Sequence, residues 1–276
     1  YYGLWKIKND EKFYSEFQDF KIKIISPKIS IDRFFKYNNE SIIIEELAEL
    51  SNPDNLQKTI FVFPEGALAG VNLDRLKNFK EIFLNKFSDK HTIIMGINTE
   101  KIENNSLKIY NSMVVLDNEL NLLYEYNKNK LVPFGEFLPL EKYLGKIGLK
   151  KVTQGYQSFS SGKSRELIFI DDKKFNFIPL ICYEIIYSGK IYPISDDTSF
   201  IINISEDGWF GNSIGPYQHF SHSIFRAIEE GKNVIRASNN GISAFIDSNG
   251  IIISKLESTK KGVIEVNNYK KFNETL

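Results

Sequence analysis

Cysteine is almost absent from this 276-residue chain, which has only Cys182. An internal disulfide, a Cys-based zinc site and an iron-sulfur cluster are excluded, since each is built on several thiols. Histidine is nearly as scarce: His91 opens an apolar run, while His219 and His222 share one helical stretch with no third ligand evident nearby, so no metal site is expected. Net charge is lacking as well. The 35 Lys and Arg balance the 35 Asp and Glu, and no overall field favours nucleic acid as a partner. Arginine is confined to Arg33, Arg75, Arg165, Arg226 and Arg236, whereas Lys, Ile, Asn and Phe abound, a compositional drift to which no function is attached. No apolar run approaches the roughly 18 residues that span a bilayer, and no basic-then-apolar leader opens the chain.

What is present is ample material for a core: 42% of residues are hydrophobic and 14% aromatic. Short β-rich runs at 21–26, 59–63, 92–97, 111–117, 122–126, 166–170, 174–181 and 199–204 alternate with helical stretches at 41–50, 72–87 and about 216–230. In the second helix Leu73, Leu76, Phe79, Ile82 and Phe83 share one face. The span 234–266 is strand-rich again, with a turn at Asn249-Gly250. Residues 131–157, with Pro133 and Pro139, read as a long loop of the kind that carries function. The pattern predicts one α/β domain over 20–276 with mixed β-sheets. Residues 1–19 read as a linker from an upstream membrane region, since the chain starts at Tyr1 and Tyr1, Tyr2 and Trp5 suit a membrane interface.

Three residues stand where an apolar strand ends. Cys182 follows Phe177-Ile178-Pro179-Leu180-Ile181; Glu65 follows Phe61-Val62-Phe63-Pro64; Lys128 follows the run ending at Tyr126. A lone cysteine is either a small buried hydrophobe or a nucleophile. A thiol of ordinary pKa is only a few per cent thiolate at neutral pH, so the second role needs a base or a cation beside it. Strands of one domain bring their ends to a common rim, where a carboxylate takes the thiol proton and an ammonium stabilises a developing oxyanion. Gly162-Lys163-Ser164 ends like a phosphate-binding loop, but Gln157 occupies the place of its first glycine.

Pro64-Glu65, Tyr126-Asn127-Lys128-Asn129-Lys130-Leu131 and Cys182-Tyr183-Glu184 resemble the Glu-Lys-Cys signature of the nitrilase, or carbon-nitrogen hydrolase, superfamily, whose fold is a four-layer αββα sandwich. The blocks Leu131 to Glu136, Asn203 to Gly211, Ser213 to His219 and Ser238 to Gly241 further resemble the nitrilase-type domain of the apolipoprotein N-acyltransferase family. That resemblance spans roughly residues 20–266. It implies transfer of an acyl chain from a phospholipid to the α-amino group of a diacylglyceryl-cysteine on a lipoprotein, at the periplasmic side of the bacterial inner membrane, without a cofactor. In that scheme Cys182 becomes a thioester, Glu65 is the general base and Lys128 stabilises the oxyanion. Glu136 is a second glutamate near the thiol, and Tyr183 and Glu184 support the nucleophile.

Three departures accompany the resemblance. The membrane helices that precede this domain in the family are missing from this chain, Glu206-Asp207-Gly208 replaces a usual Asn-Asp pair, and residues 26–34 hold only Phe34 where a tryptophan is common. A lipid substrate also calls for an apolar approach. Phe134, Phe137, Leu138, Leu140, Tyr143, Leu144, Ile147 and Leu149 alternate with Lys142, Lys146, Lys150 and Lys151, a composition suited to an anionic membrane surface. Trp209 and Phe210 are candidates for the same contact. Two other functions stay open: a soluble amidase in which water resolves the same thioester, and a silent domain that only binds membrane or lipoprotein.

Overall fold

The computed structural model describes residues 19–35, 39–139, 158–191, 198 and 200–267. The expected linker up to residue 18 and the lysine-rich part of the long loop, from Leu140 to Lys151, lie outside the described residues.

Twelve described strands form two six-stranded sheets. The first runs β12-β1-β2-β3-β4-β5 and the second β11-β10-β9-β8-β7-β6. In the first, β1 (Lys21–Ser26), β2 (Thr59–Val62) and β3 (His91–Glu103) are parallel, flanked by antiparallel β12 (Gly262–Val266), β4 (Ser106–Leu116) and β5 (Leu122–Asn127). In the second, the parallel strands are β7 (Phe175–Ile181), β8 (Phe200–Glu206) and β9 (Asn233–Asn239). Antiparallel β6 (Ile168–Ile170), β10 (Ser243–Ile246) and β11 (Ile252–Leu256) complete it. These are the mixed sheets anticipated from the pattern.

The central strands are apolar on both faces because both faces are covered. In β2, Ile60 and Val62 point to the core between the sheets, where they join Ile94, Met113, Phe177, Ile202, Ile235 and Phe245. The alternate residues Phe61 and Phe63 point outward, onto Ile44 and Leu47 of α1 (Glu40–Ser51) and onto Phe83. On the far side, Ile178, Leu180, Ile201 and Val234 pack against Phe220 and Ala227 of a helix over Gly215–Glu230. The layers are therefore helix, sheet, sheet, helix. Burying one such side chain contributes about 1.5–3 kcal/mol, so this repeated alternation outweighs any local propensity.

Two elements differ from expectation. The single helix expected over 72–87 is divided into α2 (Leu73–Leu76), a 3-10 turn (Lys77–Phe79) and α3 (Lys80–Lys86). The turn resets the helical phase, and Leu73, Leu76 and Phe83 all reach the sheet. The strands expected at 92–97 and 111–117 are two arms of one longer hairpin turned at Asn104 and Asn105, both with positive φ. Its outer residues are exposed, with Ile102 and Leu107 single apolar residues among charged and polar ones, so they carry no apolar alternation to read. The Gly215–Glu230 helix becomes α4. Among the described residues no helix is long and apolar enough to cross a membrane.

Candidate functional site

Cys182 is the first residue after β7 and the start of a 3-10 turn over Cys182–Ile186. Its φ of 49° lies in the left-handed region, unusual for a residue with a side chain and typical of strain held in place by its surroundings. Glu184 does much of the holding. Its Oε2 accepts from the Ile181 backbone N–H at 2.9 Å. Its Oε1 accepts from the Tyr126 hydroxyl at 2.7 Å and from the backbone N–H groups of Asn129 and Lys130 at 3.0 and 3.1 Å. One buried carboxylate thus ties the cysteine turn to the loop that carries Lys128. Tyr183 has a different surrounding: its ring packs edge-on against Tyr187.

Lys128 and Glu65 come from the first sheet. The Lys128 backbone N–H donates to the Asn111 carbonyl at 2.9 Å, continuing the β4–β5 ladder one step past β5, so the side chain emerges at the rim. Its side chain is 1% exposed, and its Nζ lies 2.7 Å from Glu136 Oε1 and 3.6 Å from Glu65 Oε1. Glu65 Oε1 accepts from Asn111 Nδ2 at 2.7 Å, and its Oε2 accepts from the Glu206 backbone N–H at 3.0 Å. Asn111 Nδ2 also donates to Glu136 Oε1 at 2.9 Å, so one amide spans both acids. The chain at Glu65 comes this close only because residue 96 is glycine: a Cβ there would sit 2.7 Å from Glu65 Cα.

The electrostatics follow from one cation among several acidic groups. Burial, helped by Glu136, raises the Glu65 pKa above the usual carboxylate range despite Lys128. Burial works against the charge on Lys128, but Glu136, Glu65 and the Cys182 thiol together raise its pKa, so it stays an ammonium. Burial and then Glu65 push the Cys182 thiol up, while Lys128 and a hydrogen bond with Ser205 oppose. Cys182 is thus favoured as a neutral thiol beside a carboxyl of raised affinity for protons.

A second cluster lies beneath the cysteine. Asp207 accepts from Arg236 at 2.8 Å and from the Ser205 hydroxyl at 2.7 Å, and its Oδ1 is 2.8 Å from His219 Nδ1. His219 Nε2 and Asn203 Nδ2 lie 3.2 and 3.4 Å from the Cys182 carbonyl. Sequence reasoning passed over Asn111, Asn203 and Arg236. A signal existed for the last two, since a scarce arginine and an asparagine interrupt apolar strands at positions that pair directly, Asn203 with Arg236.

Of the expected residues, Glu65, Lys128, Cys182, Glu136 and Glu184 are brought together. A pocket of about 80 Å³ opens at this rim, lined by Phe34, Glu65, Leu68, Ile97, Phe159 and Trp209 among others; Cys182, partly accessible, is not part of that lining. Phe134, Trp209 and Phe210 are exposed, Phe137 is half-buried, and Leu138 is buried at 7% exposure, which removes Leu138 from any outer apolar rim. His91 stands at the opposite end of β3, where it accepts from Ser88 N–H and meets the Asp54 carbonyl. His222 packs against Phe225. The Gly162 of the phosphate-loop look-alike donates its N–H to the Lys128 carbonyl at 2.9 Å, a backbone role.

A family model described as carbon-nitrogen hydrolase matches residues 59–267. Among curated relatives, the apolipoprotein N-acyltransferase of Rickettsia prowazekii (strain Madrid E) is 35% identical over 267 residues, covering 96% of this chain and 52% of the relative. That of Wigglesworthia glossinidia brevipalpis is 36% identical over 245 residues, covering 86% and 47%. The chain spans about half the length of the curated relatives it matches. Two solved structures share the fold: glutamine-dependent NAD+ synthetase from Acinetobacter baumannii, with TM-score 0.63 and 17% identity over 93% of this chain and 48% of that one, and Saccharomyces cerevisiae Nit3, a nitrilase-superfamily member, with TM-score 0.61 and 16% identity over 90% and 89%.

Proposed function

Because the chain belongs to the carbon-nitrogen hydrolase family, we propose that it is the acyl-transferring domain of an apolipoprotein N-acyltransferase, with Cys182 as nucleophile, Glu65 as general base and Lys128 as oxyanion partner. The observation that carries this reading is a strained strand-end thiol on which a buried carboxylate and a buried ammonium both act. The names of the relatives support the choice of acyl transfer over hydrolysis.

In the first half-reaction Sγ attacks the ester carbonyl of a phospholipid while Glu65 takes the thiol proton. The C–O bond breaks, and Glu65 returns that proton to the departing lysophospholipid alkoxide, leaving a thioester on Cys182. In the second, the α-amino group of a diacylglyceryl-cysteine attacks the thioester. Glu65 takes a proton from the amine and returns it to Sγ as the C–S bond breaks, so the amide forms and both the thiol and the carboxylate are restored. Lys128, kept charged by its acidic neighbours, stabilises the oxyanion of both tetrahedral intermediates. Splitting the transfer in two stores the acyl group in a form that an amine can attack. Glu136 shares Lys128 with Glu65 and so holds the ammonium in place. The domain works at the outer face of the bacterial inner membrane, where exposed Phe134, Trp209 and Phe210 face lipid.

The test is incubation with phospholipid and a diacylglyceryl-peptide, reading peptide acylation and the mass of the acyl-enzyme. Wild-type chain acquires an acyl mass at Cys182 and the peptide gains it; Cys182→Ala acquires none. An acyl group trapped on the alanine variant sinks the assignment. Ammonia release from small amides, without peptide acylation, favours the amidase instead, and an unreactive Cys182 with intact membrane binding favours a silent domain.

A further inference from the structure

We propose that Arg33 and Glu206 are positioning residues whose buried ion pair fixes the Glu65 carboxylate in the orientation in which it serves as base. This rests on the role of Glu65 proposed above. Arg33 and Glu206 come from opposite parts of the chain and meet as a direct ion pair, their side chains 2% and 1% exposed. Such a pair contributes little net stability, because desolvating both charges cancels most of their attraction. Its geometry instead converges on one residue. The Glu206 backbone N–H donates to Glu65 Oε2 at 3.0 Å. On the other side, Arg33 Nε donates at 2.8 Å to the carbonyl of Gly66, the next residue after the base.

Each partner is itself locked. Arg33 Nη1 donates to the carbonyls of Ile29 and Ser30 at 3.2 and 2.8 Å. The Glu206 carboxylate accepts from Asn239 Nδ2 at 2.7 Å, from Asn240 Nδ2 at 3.1 Å and from the Gly208 N–H at 2.7 Å. The guanidinium also lies 4.5 Å from the centre of the Phe34 ring. That ring fills the space where a side chain at residue 66 would go, 2.8 Å from a Cβ built there, and Gly66 has φ of 62°. The base is therefore gripped through its carboxylate by Glu206 and through its following peptide by Arg33, and the ion pair sets the distance between the two grips. Glu65 Oε1, by contrast, is held within its own sheet by Asn111.

The test uses the full 276-residue chain with a short-chain aryl ester as acyl donor, following Cys182 acylation by mass across pH, alongside thermal melting. Arg33→Lys keeps the charge but loses the planar fork. It is expected to slow acylation at saturating ester about 10- to 100-fold while the half-saturating concentration stays within about twofold, the behaviour of a misplaced catalytic group. The acid limb of its rate profile moves to higher pH, because a loosened N–H no longer favours ionised Glu65. Wild-type rate and limb combined with a lower melting temperature overturn the inference and leave the pair a structural one. Should Arg33→Lys fail to fold, Arg33→Met combined with Glu206→Gln removes both charges and is read the same way, with the same rate loss expected and the same null result decisive. A wild-type chain that takes no acyl group overturns the nucleophile assignment and this inference with it; wild-type acylation with unaltered variants overturns the inference alone.

Discussion

Glu65 and Asp207 are both carboxylates buried where parallel strands end, yet their surroundings drive them in opposite directions. Glu65 shares the single charge of Lys128 with Glu136, and burial leaves it with a raised pKa. Asp207 is buried as deeply, but Arg236 and His219 face it and Ser205 donates to it, so its pKa falls below the ordinary 3.8. The first acid has less positive charge than it needs and is ready to take a proton. The second has a cation that it does not share with a neighbouring acid, and remains an anion. Burial alone, common to both, does not decide the role; whether the facing cation is shared with a second carboxylate does. The Asp207 cluster lies under the Cys182 carbonyl through His219 and Asn203, and serves as an anchor for the strained turn.

The largest effect that can break this contrast is expected at Glu65, the proposed base. Glu65→Gln keeps the shape and removes the proton acceptor, and should slow Cys182 acylation by about 10²–10⁴-fold in single-turnover mass measurements. Its stability should move the other way. A carboxyl with a raised folded pKa makes the native state hold more protons than the unfolded chain between the ordinary value of 4.5 and the raised value, so wild-type stability falls as pH rises through that window. Glutamine removes the fall. The melting temperature of Glu65→Gln relative to wild type should therefore climb from acid to neutral pH, and a constant difference would mean that Glu65 is not strained by its site.

Asp207→Asn should invert the pattern, with a large loss of stability and a small loss of chemistry. It leaves Arg236, fully buried, without its anion, which costs about 3–5 kcal/mol when one partner of a buried pair is removed. For a carboxyl of depressed pKa the stabilisation is present above the unfolded value and lost as pH falls through the folded one. The urea-unfolding difference between variant and wild type should thus hold steady at neutral pH and narrow only below 3.8. Acylation by the folded fraction should stay within about tenfold of wild type, since Asp207 acts on the thiol as a neighbouring charge and through Ser205 and is not among the groups proposed to move its proton.

The two clusters were also unequally legible. Glu65 and Cys182 announce themselves because an apolar run stops at each, and strand ends of a layered α/β domain share a rim. Lys128, among many lysines, gained weight only beside the other two strand-end residues and then from the motif around it. Alternating strands and helices pointed to an α/β domain with mixed sheets, whereas the four layers were implied only by the resemblance of the motifs to the nitrilase superfamily. What the sequence hid were partners set by tertiary closure. Glu206 reaches Glu65 across 141 positions, and Asn111 joins two acids from the middle of a hairpin strand. Period-two alternation tells which face a residue takes, not which loop arrives opposite it. The division of the 72–87 helix was hidden for a related reason: a 3-10 turn preserves the apolar face while changing the backbone.

The smallest effect tests whether anything outside the two clusters matters to chemistry. Trp209 is 42% exposed and rests on Phe34 and Phe35, with ring centres 5.1 and 6.3 Å away. It follows the Asp207 anchor by two residues and lines the pocket that Glu65 shares, so it borders both regions. Trp209→Ser removes apolar surface that already faces water, and should change stability by only about 0.5–1 kcal/mol. Acylation by a soluble aryl ester should stay within about twofold, since neither acid loses a partner. With a phospholipid donor held in vesicles the apparent KM should rise severalfold, because an exposed indole at the rim contributes to interfacial binding. A KM that moves equally for both donors would make Trp209 a wall of the Glu65 pocket and not a contact with lipid.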